Sequence, residues 1–167
     1  MLVVSNTSPI LNLAIIGRLD VLRKQFEIVW APPAVIAELR SEQDLPGSAA
    51  IREAQQVGWL RTERVRDRVR VALLRRDLDP GESEAIALAL QKRADWLLLD
   101  EREGRRLARS LGLNVTGVLG ILLKAHLDGH LPSLSESMDQ LRDLAGFRIS
   151  APLYDQLLQA ATSKVEE

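Results

Sequence analysis

The chain has 167 residues, of which 46% are hydrophobic and 27% charged, and its formal net charge is −1. That length suits one globular domain with a substantial core, and no apolar stretch is long enough to span a bilayer. The chain has no cysteine, which excludes disulfides and zinc–thiolate sites and fits a cytoplasmic protein.

Leu2–Ser5 opens the chain as a short apolar strand, without the basic, apolar and small-residue regions of a secretory leader. Asn6, Thr7 and Ser8 follow, then a helical pair, Pro9–Ile16 and Arg18–Gln25, broken at Gly17. Glu27–Ala31 reads as a second strand. Pro32-Pro33 then starts a helix through Ala34–Arg40, since proline is tolerated in a first turn. Glu38 sits on that helix and, taken singly, is a solvated helix charge. Ser41–Gly47 reads as a loop, and Ser48–Val57 as a further helix.

Arg61–Arg76 carries seven arginines against Glu63 and Asp67. It reads as an edge strand followed by a helix, or as a mobile arm. Arginine dominates the basic residues of the whole chain, with lysine only at 24, 92, 124 and 164. Its planar fork suits phosphate, although a solvated, ion-paired surface has the same composition.

Asp79-Pro80-Gly81-Glu82 has the form of a helix start, with Asp79 as N-cap, Pro80 at N1 and Glu82 at N3. At about 100° per residue, Glu82, Ile86, Ala89 and Arg93 share a narrow stripe with Ala85 beside it. Glu82 is therefore expected at the sheet-facing edge of the first turn, and Glu84 is expected to point to water with Gln91. Asp95–Leu99 is a buried strand that ends at Asp100, where open α/β sheets place ligands and chemistry. The helix after it sets Arg102, Arg105, Arg106 and Arg109 on one face. That stripe either grips a nucleic-acid backbone or pairs with Glu101 and Glu103.

Asn114–Thr116 is a further strand candidate, followed by helices at Leu119–Leu127, Ser133–Leu144 and Ser150–Ala161. The alternation predicts an α/β fold with a parallel sheet. His126 and His130 flank Asp128 but fall at a helix end, where a C-terminal turn explains them better than zinc does. Trp30, Trp59 and Trp96 read as core residues rather than base-stacking platforms. No phosphate-cradling glycine loop or nucleophile elbow is present.

Several acids at strand and helix ends repel one another unless a cation offsets them. Hard divalent ions prefer such oxygen donors, and they suit phosphodiester hydrolysis. Four segments carry a family resemblance: Val3-Val4-Ser5-Asn6-Thr7-Ser8-Pro9, Ala34–Leu39 with its glutamate, the acidic helix Pro80–Ala89, and Leu97-Leu98-Leu99-Asp100-Glu101-Arg102. The chain resembles the PIN-domain superfamily, metal-dependent ribonucleases that include VapC-like toxins. The trailing Val115–Gly120 and Gly146–Ser150 are similar to one subgroup of PIN-like prokaryotic proteins.

The resemblance implies a PIN-like three-layer α/β/α fold around a parallel sheet of about four or five strands. It implies a single domain over 1–167, with the helices from about residue 133 packed onto it. Carried over by position, the acidic tetrad falls on Asn6, Glu38, Glu82 and Asp100 as ligands of Mg²⁺ or Mn²⁺, with asparagine where the family usually has aspartate. Arg102, Arg105, Arg106 and Arg109 would bind the RNA substrate, and Thr7 and Ser8 would bond phosphate, bind metal-associated water, or cap a helix. Hydrolysis would proceed without a covalent enzyme intermediate. A small antitoxin protein and a second copy of the chain are the implied partners. Asn6 also supports another reading, a catalytically silent PIN-like module that binds RNA or protein. A receiver-like domain shares the alternation but lacks its early acid and strand-end lysine here.

Overall fold

The computed structural model describes residues 1–41 and 45–163. Its sheet has five parallel strands in the order β3-β2-β1-β4-β5. They are β1 (Val3–Ser5), β2 (Val29–Ala31), β3 (Leu60–Thr62), β4 (Trp96–Leu98) and β5 (Val115–Thr116). Ten helices complete a three-layer α/β/α arrangement among the described residues. These are α1 (Thr7–Ile15), α2 (Asp20–Phe26), α3 (Pro33–Ser41), α4 (Ser48–Val57), α5 (Arg68–Leu74), α6 (Pro80–Lys92), α7 (Arg102–Ser110), α8 (Val118–Leu127), α9 (Leu134–Ala145) and α10 (Ala151–Ser163).

The apolar runs become strands because both faces of a parallel sheet are covered. Val3, Val4, Leu97 and Leu98 are all fully buried. The four strands expected from the sequence each form, trimmed by one or two residues. The open segment after Trp59 resolves as edge strand β3 followed by α5. The expected loop 41–47 lies partly outside the described residues, and Ser41 closes α3.

The chain first builds outward from β1 through β2 to β3. It then returns to the other side of β1, where β4 pairs Val3↔Trp96, Val4↔Leu97 and Ser5↔Leu98. The strand order thus reverses between β1 and β4, and the crevice beyond their carboxyl ends is where such sheets hold ligands. The Asn6 N–H donates to the Leu98 carbonyl at 2.9 Å, which fixes the two strand ends side by side. In the C-terminal part, α9 packs on α1 and α8, and α10 packs on α8 and α9.

Helix α6 departs from the expected pattern. Every residue from Gly81 to Ala89 is buried, because α3, α5, β1 and β4 surround the helix. Glu84 therefore does not point to water. Its carboxylate accepts the Ala34 N–H at 3.2 Å and approaches Arg68 at 3.5 Å. It satisfies one of the open N–H groups at the start of α3, and that is what makes its burial tolerable.

The start of α6 forms as its sequence predicts. Asp79 accepts the Glu82 N–H at 2.7 Å, and Glu82 accepts the Asp79 N–H at 3.3 Å. Asp79→Ala should cost about 1 kcal/mol of stability through loss of this cap. Ile86→Ala, at a fully buried position, should cost about 3 kcal/mol through a cavity. Urea unfolding with unchanged slope checks both values and their order.

Candidate active site

The crevice at the β1–β4 strand ends is organised by three consecutive residues. Asn6, with extended backbone, is the N-cap of α1, but its side chain makes no capping bond. Its amide Nδ2 donates instead to Glu101 Oε2 at 3.2 Å. The next residue, Thr7, donates its hydroxyl to Glu38 Oε2. Ser8 donates its hydroxyl to Asp100 Oδ2 at 3.3 Å. One short turn thus holds carboxylates brought by α3, by the end of β4 and by the start of α7. The hydroxyls of Thr7 and Ser8 bond carboxylates here rather than cap α1.

Two glycines let the acids come close. A side chain at Gly81 would collide with the Glu38 carboxylate, so glycine lets α3 bring that acid against the start of α6. A side chain at Gly117 would collide with Asp100 Oδ1 and Arg105 Nη1. Asp100 Oδ1 uses that space to accept the N–H of Val118, the first residue of α8, at 2.9 Å. Asp100 therefore does not cap its own following helix. It serves α8, whose N-cap Gly117 has no side chain to do so.

Glu82, at 7% exposure, lies within the same field of charge. Burial pushes its carboxyl up to about 7, with further repulsion from Asp79, Glu101 and Glu38. Burial likewise raises Asp100 to about 6, and Glu101 adds to this. The bonds from Val118 and Ser8, together with nearby Arg105, pull Asp100 back. The four positions Asn6, Glu38, Glu82 and Asp100 thus lie around one crevice. Glu38 is half-buried and hydrogen-bonded, not the freely solvated charge its helix position alone suggests.

Asn6 is 3% exposed, and its Oδ1 is buried without a hydrogen-bond partner. Such an atom costs about 1–3 kcal/mol. The donor set is entirely hard oxygen, which suits Mg²⁺ or Mn²⁺ and not a softer ion. The orphaned amide oxygen and the crowded acids both fit a cation. Without one, the acids rest on protein donors, and among the described residues no three acids or histidines are gathered as a ready-made metal cage.

The arginine stripe of α7 divides. Arg105 is half-buried and donates from Nη1 to the Leu99 carbonyl at 2.9 Å. Burial and neighbouring Arg109 lower its pKa. Arg102, Arg106 and Arg109 are exposed. Among the described residues, no ion pair joins any of these four arginines to a carboxylate, so Glu101 and Glu103 do not neutralise the stripe. The sequence left Glu101 as one of two acids that could pair with the stripe, whereas the structure bonds it to Asn6. Its one signal in the sequence is adjacency to Asp100.

Elsewhere, His126 Nδ1 lies 3.2 Å from the Leu131 carbonyl in a C-terminal turn, the arrangement expected for it. Trp59 is core, but Trp30 is only half-buried and carries Lys92 Nζ 3.8 Å from its ring centroid.

A family model for the PIN domain matches residues 2–163. The chain belongs to the PIN-domain family. No curated protein and no solved structure gives a significant match. PIN domains are generally nucleases that bind RNA, and they typically use divalent metals. In this PIN domain, no helix among the described residues is long and apolar enough to cross a membrane.

The raised acids set a pH dependence. Glu82 and Asp100 hold protons in the folded chain up to about pH 7 and 6, against 4.5 and 3.8 when unperturbed. Between those limits the folded state binds more protons than the unfolded state, so stability falls as pH rises. Without divalent cations, the Tm should decline from pH 4.5 toward pH 7, and Glu82→Gln should flatten that decline. Added Mn²⁺ should raise the Tm more above this window than below it, since a cation competes with those protons. Parallel curves for wild type and variant would contradict the Glu82 assignment.

Proposed function

We propose that this PIN domain is a divalent-metal-dependent endoribonuclease acting as the toxin of a prokaryotic toxin–antitoxin system. The observation that carries the nuclease reading is the bracket Asn6-Thr7-Ser8, which gathers acids from three separate elements at the switch point of the sheet. The toxin role, a small antitoxin partner, a homodimer and a cytoplasmic location rest on the resemblance to VapC-like proteins.

In this reading Glu38, Glu82 and Asp100 are the anionic ligands of Mg²⁺ or Mn²⁺, and Asn6 Oδ1 is a neutral one. When bound, the ion supplies positive charge to the phosphodiester and makes water more acidic. Thr7, Ser8 and the Val118 N–H orient the acids before substrate arrives. Without the ion Glu82 keeps its proton up to about pH 7, so taking up the cation would release that proton. Arg102, Arg106 and Arg109 hold the RNA backbone through phosphate contacts that carry no sequence information. Arg105, tied to the Leu99 carbonyl, places positive charge beside Asp100.

A second reading follows from Asn6 itself. An amide contributes no negative charge, and here its N–H is spent on Glu101. A silenced PIN module that binds RNA or a protein without cleaving would have this feature.

Cleavage of single-stranded RNA with Mg²⁺ or Mn²⁺ separates the two. Wild type should cleave, Asp100→Asn should lose on the order of 100-fold or more, and Asn6→Asp should gain. A silent wild type with a gain in Asn6→Asp would identify the silenced module. Inactivity of all three proteins on varied RNAs would remove the nuclease reading.

A further inference from the structure

We propose that Glu101 is the anionic member of the cation site that position 6 lacks, so that the pair Asn6–Glu101 does the work of one buried aspartate. The inference rests on the metal-site reading above and names a ligand for that site which the family pattern does not assign.

Three observations converge on Glu101. The residue is the N-cap of α7, where acidic side chains usually turn back onto their own helix. Its side chain makes no such bond, and its Oε2 instead accepts the Asn6 Nδ2–H at 3.2 Å across the crevice. Four residues on, one helical turn away, Arg105 is a natural ion-pair partner. It is committed to the Leu99 carbonyl, and no ion pair between the two is present. Glu101 also follows Asp100 directly in the chain, so it starts one position from that acid at the end of β4.

An acidic cluster alone would not imply a ligand. The independent sign is the Asn6 amide, 3% exposed, with Oδ1 left unpartnered. Its Nδ2 is fixed by Glu101, and the unpartnered Oδ1 is carried by the same amide, two bonds from that nitrogen. A hard divalent cation there gains a neutral oxygen from Asn6 and a negative one from Glu101. With Glu38, Glu82 and Asp100, the site then has four carboxylates, the number reached when position 6 is aspartate.

Mn²⁺ binding to the full chain, followed by calorimetry, tests the exchange of charge between the two positions. Glu101→Gln should weaken binding about 10-fold, Asn6→Asp should tighten it, and the double variant Asn6→Asp/Glu101→Gln should return to within a few-fold of wild type. Far-UV circular dichroism on each variant confirms that it is folded. If Glu101→Gln binds like wild type while Asp100→Asn does not, Glu101 is no ligand and the wider metal site stands. A double variant no better than Glu101→Gln would also overturn the exchange. Absence of Mn²⁺ binding by folded wild type would remove the metal-site reading and this proposal with it.

Discussion

The constraint on which this molecule turns is the mutual repulsion of carboxylates gathered at one end of a parallel sheet. Strand ends β1 and β4 are held together by the Asn6 N–H to Leu98 bond, so any acids placed there are close. Burial and like charge raise Glu82 and Asp100 together. The fold answers with donors supplied at fixed places. Thr7 and Ser8 give hydroxyls, Val118 gives the first N–H of α8, and Asp79 gives its N–H through the capping box. Each bond has a second use, because it also fixes the element that carries the acid.

Helix α6 turns these local bonds into a frame. Glu84 reaches the start of α3 at Ala34, so the helix bearing Glu82 sets the position of the helix bearing Glu38. At its other end, Lys92 pairs with Glu63 at 2.9 Å and lies over Trp30, while Gln91 bonds both Glu63 and the Arg64 carbonyl. The Arg66 N–H donates to Gln91 in return. These contacts tie the basic stretch between β3 and α5 to α6, so the arginines there are presented from a fixed base rather than a free arm. A partly buried ion pair over an aromatic ring is less screened than a surface pair.

The sequence made legible whatever depended on short-range pattern. Short apolar runs marked β1, β2 and β4, and Asp79-Pro80-Gly81-Glu82 marked its capping box because all its partners lie within four residues. Asp100 was legible as a strand-end acid. Its partner Val118 was not, since eighteen residues and two elements separate the two. Glu84 was misread because a helical wheel assumes one wet face, and α6 has none from Gly81 to Ala89. Arg105 looked like its neighbours on the stripe until tertiary packing turned it toward Leu99. Strand β3, only Leu60–Thr62 with two exposed residues, carries too little apolar signal to declare itself.

Solvation explains why asparagine at position 6 and glutamate at position 101 form a workable combination. Position 6 is 3% exposed at the strand end, so an ionised group there would bear the full cost of desolvation without a cation. Position 101 is exposed at the crevice mouth, where water screens the same charge. A charge at position 101 therefore costs the folded chain less than one at position 6, while the Asn6 Nδ2–H holds the Glu101 carboxylate against the strand end. The amide suits this position because it donates to Glu101 from nitrogen and carries an oxygen acceptor on the same group. An aspartate at position 6 would provide the oxygen but repel Glu101. An apolar residue would provide neither, and the acids at the crevice would lose the link that joins α7 to β1.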